Sequence, residues 1–162
     1  MKKLIFSSFL IMLSIIVDGQ EQVLEWSCTK RLTWNDYLAE PSFSSDIAAI
    51  TSTAIRMKCY IRNNIPSYKI TCYFLKTRSW GKYKTDYILK HEQGHFDFAE
   101  LLRSEITEQI QNVFNGKKFP TRGQNSEQQK QFAREDSNLL IANEVEKWEK
   151  YLSEKQEEYD KQ

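Results

Sequence analysis

Tyr87-Ile88-Leu89-Lys90-His91-Glu92-Gln93-Gly94-His95-Phe96-Asp97-Phe98-Ala99-Glu100 is the stretch whose reading decides the fold. Two histidines four apart on a helix project from one face, one turn above the other. Both imidazoles can therefore reach a single metal ion from one rigid element. Glu92 points to the side of that pair, where a carboxylate can take a proton from a water that the ion activates. This is the HExxH spacing that zinc peptidases use. The chain has two histidines and both lie here. Two histidines scattered at random fall four apart about one time in 80, and requiring Glu in the second slot lowers the odds to on the order of one in a thousand. The alternative is an ordinary helix with two surface histidines beside a carboxylate, and the flanking residues argue against it.

Those residues have a helical period. Ile88, His91, His95, Phe98, Leu102, Ile106, Gln109 and Val113 follow three- and four-residue steps along one stripe. Both histidines thus fall on the apolar, inward face, as a metal site on a cleft floor requires. Two stacked buried imidazoles with no ligand are hard to satisfy. Gly94 costs a helix about 1 kcal/mol relative to alanine, so a substrate or a neighbouring strand is expected to approach the backbone there. The helix should run from about Lys82 to Asn115-Gly116, a stop signal. A loop over 117–124 follows. Ser126 then caps a second helix, from Glu127 to about Glu158, whose inward stripe reads Ile141, Val145, Trp148 and Leu152 and extends back to Asn138 and Arg134. From Ser153 onward the chain is charged and expected to fray into solvent.

The N-terminal half reads as strands. Residues 22–28 form a short first strand, and 32–38 a strand end running into a turn. Pro41 to Asp46 is loop by composition, and 47–61 alternates enough for a strand. Tyr68 to Leu75 is the clearest strand, with a turn expected at Asn64-Ile65-Pro66-Ser67 to make a hairpin. Arg78-Ser79-Trp80-Gly81 breaks the pattern, and Trp80 reads as a packing residue. The fold class is therefore α+β and zincin-like: a small N-terminal antiparallel β-sheet, an HExxH active-site helix, then a long C-terminal helix. Residues 20–162 make one domain, β-rich over about 20–80 and helical over about 82–158, an ordinary size for a chain with 40% apolar and 28% charged residues.

Charge and address narrow the function. A formal net charge of +1 gives no basic face for nucleic acid. Lys2 and Lys3 precede an apolar run from Leu4 to Val17, too short for a comfortable membrane span. We read residues 1–19 as a signal peptide cut after Gly19, which makes the mature chain secreted or periplasmic and free of the membrane; a retained anchor is the alternative. No Cys sits at the cut, so a lipid anchor is not expected. Export permits disulfides among Cys28, Cys59 and Cys72. Cys59 and Cys72 lie at equal distances from the expected turn and would face each other in the hairpin, which favours that pair. Cys28 can replace either partner. The cysteine spacings are wrong for a metal site.

Arg78-Ser79-Trp80 together with Tyr87 to Glu100 resembles the DUF922 family of predicted secreted bacterial zinc-dependent proteases, whose signature reads roughly SW…yLxHEQGHFDIAE. Leu32-Thr33-Trp34-Asn35-Asp36-Tyr37, Ala48-Ala49 and Thr51 resemble its N-terminal half. The likeness covers most of the mature chain. It implies His91 and His95 as zinc ligands and Glu92 as catalytic base, and names no substrate beyond a peptide or protein. One departure stands out. The family's second helix carries a segment like YDxETxHG…W, and aligning on Trp148 sets Phe132, Glu135, Asp136 and Asn138 against its Tyr, Glu, Thr and His. The family's histidine is an asparagine here.

Catalytic zinc usually takes three protein ligands and a water, and no third histidine exists in this chain. Glu100 points about 150° away from the histidine face; it and Asp97 are candidates to orient the ligands from behind, or, for Glu100, to form a structural ion pair. Glu105 shares the histidine face but lies about 15 Å farther along the axis. The second helix is the better source. A tight antiparallel helix pair would bring Glu144 or Glu146 level with His95, whereas a loop climbing back along the first helix would bring Glu135 or Asn138; Glu135 ranks first. Tyr83 or Tyr87 is nominated as an oxyanion stabiliser. The leading expectation is an exported zinc metallopeptidase, and an edge strand beside the motif helix could bind an extended peptide. A secreted binding module with a structural or degenerate zinc site is the second expectation. A helical protein that docks another chain through its Trp148 stripe is the third.

Overall fold

The computed structural model describes residues 21–41, 47–62, 65–119 and 122–160, so the expected signal peptide and most of the 41–46 loop lie outside the described residues. Among the described residues five strands precede two long helices. They are β1 (Val23–Glu25), β2 (Ala49–Ile50), β3 (Thr53–Arg62), β4 (Ile65–Leu75), β5 (Trp80–Gly81), α1 (Asp86–Phe114) and α2 (Ser126–Asp160). The architecture is α+β, with a three-stranded antiparallel sheet in the order β1-β4-β3 and a two-stranded antiparallel ribbon of β2 with β5. No helix among the described residues is long and apolar enough to cross a membrane.

The stretch expected as one strand over 47–61 is two. At Thr51 and Ser52 the chain leaves β5 and joins β4, because these residues bond elsewhere: the Thr51 hydroxyl meets the Tyr37 hydroxyl at 2.8 Å, and the Ser52 amide donates to Ser79 Oγ at 2.9 Å. Residues 34–36, expected at a strand end, form a 3-10 turn held by Asp36, whose carboxylate accepts from the Thr33 amide and hydroxyl. The β3–β4 hairpin turns two residues earlier than expected, since β4 already begins at Ile65. Its register sets Cys59 opposite Tyr68 and Cys72 opposite Ile55. Cys59 and Cys72 are thus four residues out of alignment, about 13 Å along the strand, and do not form the expected disulfide. Cys72 is a buried free thiol and Cys28 an exposed one.

The sheet packs on α1 through Phe74 and Phe96, ring centroids 5.8 Å apart, with Ile55, Cys72 and Leu102 in the same core. Helix α1 starts at Asp86, four residues later than read, because Thr85 is its N-cap and accepts from the Ile88 amide. It ends at Phe114, before Gly116 with φ +70°. Its most buried stripe is Glu92, His95, Phe96, Ala99, Leu102, Ile106, Ile110 and Phe114. This stripe is rotated from the one read in the sequence, for a physical reason. The helix is covered on two sides: the sheet takes Phe96, while α2 takes His91, Phe98 and Gln109.

Helix α2 runs antiparallel to α1. Trp148 Nε1 donates to Gln109 Oε1 at 2.7 Å, the Tyr151 hydroxyl donates to Glu105 at 3.0 Å, and Tyr159 reaches His91. Trp148 is therefore used inside the chain and does not form the partner-docking stripe of the third expectation. Ile141 and Trp148 are buried as read, but the stripe continues through Ser137 and Ala133, while Asn138 and Arg134 are exposed. Four-residue steps, not three, carry it back. With Trp148 level with Gln109, nearly five turns of α2 overhang the end of α1.

Candidate metal centre

His91 and His95 lie one turn apart on α1, and their Nε2 atoms are 3.1 Å apart with the rings perpendicular. Two nitrogens bound to one zinc at 2.0–2.1 Å in tetrahedral geometry stand about 3.3 Å apart. The pair is thus spaced as two ligands of one ion. Glu92 completes a group whose ligand atoms all lie within 4.8 Å of one another, and no other His, Cys, Asp or Glu of the described residues belongs to it. Two imidazoles and a carboxylate suit zinc by donor type. The residues present therefore fit a zinc ion at two positions, with a carboxylate beside it.

Both variable positions of the motif are used. Gln93 Oε1 accepts from the Leu32 amide at 2.7 Å, and Gln93 Nε2 donates to Asp97 at 2.8 Å. Asp97 also accepts from Trp26 Nε1 at 2.9 Å and pairs with Arg31 at 2.6 Å. Gln93 and Asp97 thus fasten the 26–32 segment onto α1, so Asp97 serves the N-terminal segment and makes no hydrogen bond to a histidine. Gly94 faces neither a strand nor open space. A Cβ there would collide with Tyr159 Oη. The close approach comes from α2.

Tyr159 packs into the face formed by His91, Gly94, His95 and Phe98. Its ring stacks on His91 at 5.3 Å and 20°, stacks on Phe98 at 6.0 Å and 13°, and meets the edge of His95 at 4.9 Å. Its hydroxyl reaches the His91 carbonyl at 3.5 Å, so the phenolic oxygen lies against the helix backbone. The charged tail expected to fray is therefore helical to Asp160 and docked on the histidines. Charge composition hid this aromatic anchor.

The remaining candidates fall elsewhere. Glu135 is exposed and bonds to Arg122 and Gln131; it lies about 36 Å back along α2 from Tyr159, at 1.5 Å per residue. Asn138 lies about 32 Å back and Glu144 about 22 Å, so none of them reaches the histidines. The overhang of α2 is the reason, since it shifts the helix register by several turns from a tight hairpin. Glu100 is taken by Arg103, which donates to both carboxylate oxygens at 2.9 and 2.7 Å, the ion pair of the two roles weighed for it. Tyr87 is 81% exposed, one turn before His91, and Tyr83 is exposed beneath the Lys82 ammonium.

Sequence reading missed the buried side of Glu92, which is 2% exposed. Tyr37 lies within its electrostatic reach: burial raises the Tyr37 hydroxyl above its usual range, its bond to Thr51 works the other way, and the Glu92 charge adds to the rise. Tyr37 is therefore a neutral hydrogen-bonding group. The family likeness touched Tyr37 and Thr51, but no spacing marked them. No family model matches the chain, and no curated protein or solved structure does either.

Proposed function

We propose that the chain is an exported, zinc-dependent peptidase of zincin-like fold, akin to the DUF922 family, acting on a peptide or protein. The observation that carries this reading is the 3.1 Å approach of two Nε2 atoms beside a buried carboxylate. When bound, zinc supplies a Lewis acid that polarises a carbonyl and lowers the pKa of water toward 7. His91 and His95 would hold the ion from one rigid helix. Glu92 takes the proton from the attacking water and hands it to the leaving amine. Tyr37, neutral and hydrogen-bonded to Thr51, lies within electrostatic reach of that carboxylate. Elemental analysis together with cleavage of a peptide library by wild type and Glu92→Gln tests the reading. We expect one zinc in both proteins and cleavage only in wild type, with Glu92→Gln reduced by a factor of roughly 10² or more. Absence of zinc from the purified protein at micromolar metal would sink it.

One observation favours a second reading, a secreted binding module with a structural or degenerate site. The described residues bring no third histidine, cysteine or α2 carboxylate to the cluster, and Asn138 stands where the family's histidine is expected. One zinc in both proteins and cleavage by neither would select this reading.

A further inference from the structure

The end of α2 is held on α1 in an unusual way. Trp148 is its last buried side chain among the described residues. Beyond it Tyr151 and Lys155 are half-buried, Glu154, Glu157 and Glu158 are exposed, and Lys155 spends its ammonium on Glu158 of the same helix. Eleven residues past Trp148, Tyr159 then inserts between the parallel rings of His91 and Phe98, over Gly94. Under that ring His95 is 4% exposed. Among the residues of 149–160 whose side chains are described, Tyr151 and Tyr159 are the apolar anchors, and it is Tyr159 that sits on the two histidines.

We propose that the last turns of α2 form a strap that closes the histidine pair by seating Tyr159 between His91 and Phe98, and that the pair opens when the strap lifts. Local opening of this kind needs few contacts to break, and the contact that covers the histidines is an aromatic knob in a four-residue hole. Gly94 is the other half of the device. Any Cβ at position 94 would meet the phenolic oxygen and force the Tyr159 ring to shift from its seat, so the glycine, despite its cost to the helix, lets the ring sit there. The regulatory meaning, a peptidase shut by its own C-terminal helix, rests on the metallopeptidase reading. The strap itself does not.

The test uses metal-free full-length protein and the fact that His91 and His95 are its only histidines. Carbethoxylation by diethyl pyrocarbonate, mapped by mass spectrometry, reports their accessibility directly. Tyr159→Ala and Gly94→Ala are each expected to speed modification on the order of tenfold, and the double variant no further, because both break one seat. Tyr159→Phe keeps the ring and should modify at the wild-type rate. Wild-type rates in Tyr159→Ala would overturn the proposal. Amide exchange gives a second reading on the unmodified chain: residues 153–160 should exchange far faster than the centre of α1, and equal protection would also overturn it. A protein that binds no zinc yet shows faster modification in both variants keeps the strap and loses the peptidase.

Discussion

The two sides of α1 are built from different materials. Facing the sheet, Phe96 and Ala99 are 1% and 0% exposed and pack on Phe74 and its neighbours, while Gln93 and Asp97 fasten the N-terminal segment beside them. Facing α2, His91 and Phe98 are half-buried, and Gln109 and Glu105 meet Trp148 and Tyr151 through polar bonds. Farther along, Ile141 and Trp148 share one apolar cluster with Leu102, Ile106 and Ile110, so the seam with α2 is apolar at its centre and aromatic and polar at the histidine end, and that end can part by itself. The sheet side holds α1 in place, and the α2 side leaves the histidines coverable.

The sharpest way to break this contrast is Phe96→Ala. It empties a fully enclosed site and should cost about 3–5 kcal/mol in a denaturant titration; a loss under about 1 kcal/mol would mean that the sheet side is as loose as the other. Asp36→Asn comes next. Burial alone would raise the Asp36 carboxyl, but bonds from Lys76 and Thr33 outweigh it and hold the group below its usual range. A depressed carboxyl stabilises the fold above the unfolded value, about pH 4, and that contribution drains away as pH falls through the lower folded value. The variant should lose roughly 1–3 kcal/mol at neutral pH and show a flatter acid limb in stability against pH. Trp148→Phe is the mildest. It keeps a ring on the α2 side and deletes the bond to Gln109, so about 1 kcal/mol should go, with zinc content unchanged.

Much of the site was legible because helical spacing is local physics. His91, Glu92 and His95 stand together by virtue of 3.6 residues per turn, and α1, α2 and the hairpin followed from period and punctuation. The misreadings share one cause. Glu135 as a ligand, Cys59 with Cys72, and a frayed tail each required knowing how far one element slides along another. Hydrophobic pattern specifies which face turns inward and leaves sliding by whole repeats nearly unmarked: a four-residue offset keeps every strand residue on its face, and one or more turns keep every helix residue on its stripe.

From sequence alone came the α+β class, the paired imidazoles with their neighbouring carboxylate, and a glycine in a helix that demanded a close neighbour. Only tertiary structure decided what that neighbour is. It also decided that Asp97 and Gln93 serve the N-terminal segment, and that Tyr37 lies within electrostatic reach of Glu92. The division has a physical basis: covalent spacing sets which side chains share one turn, while contacts between distant segments depend on the loops that set their offset, and a loop such as 115–125 encodes that offset in its path, not in its pattern.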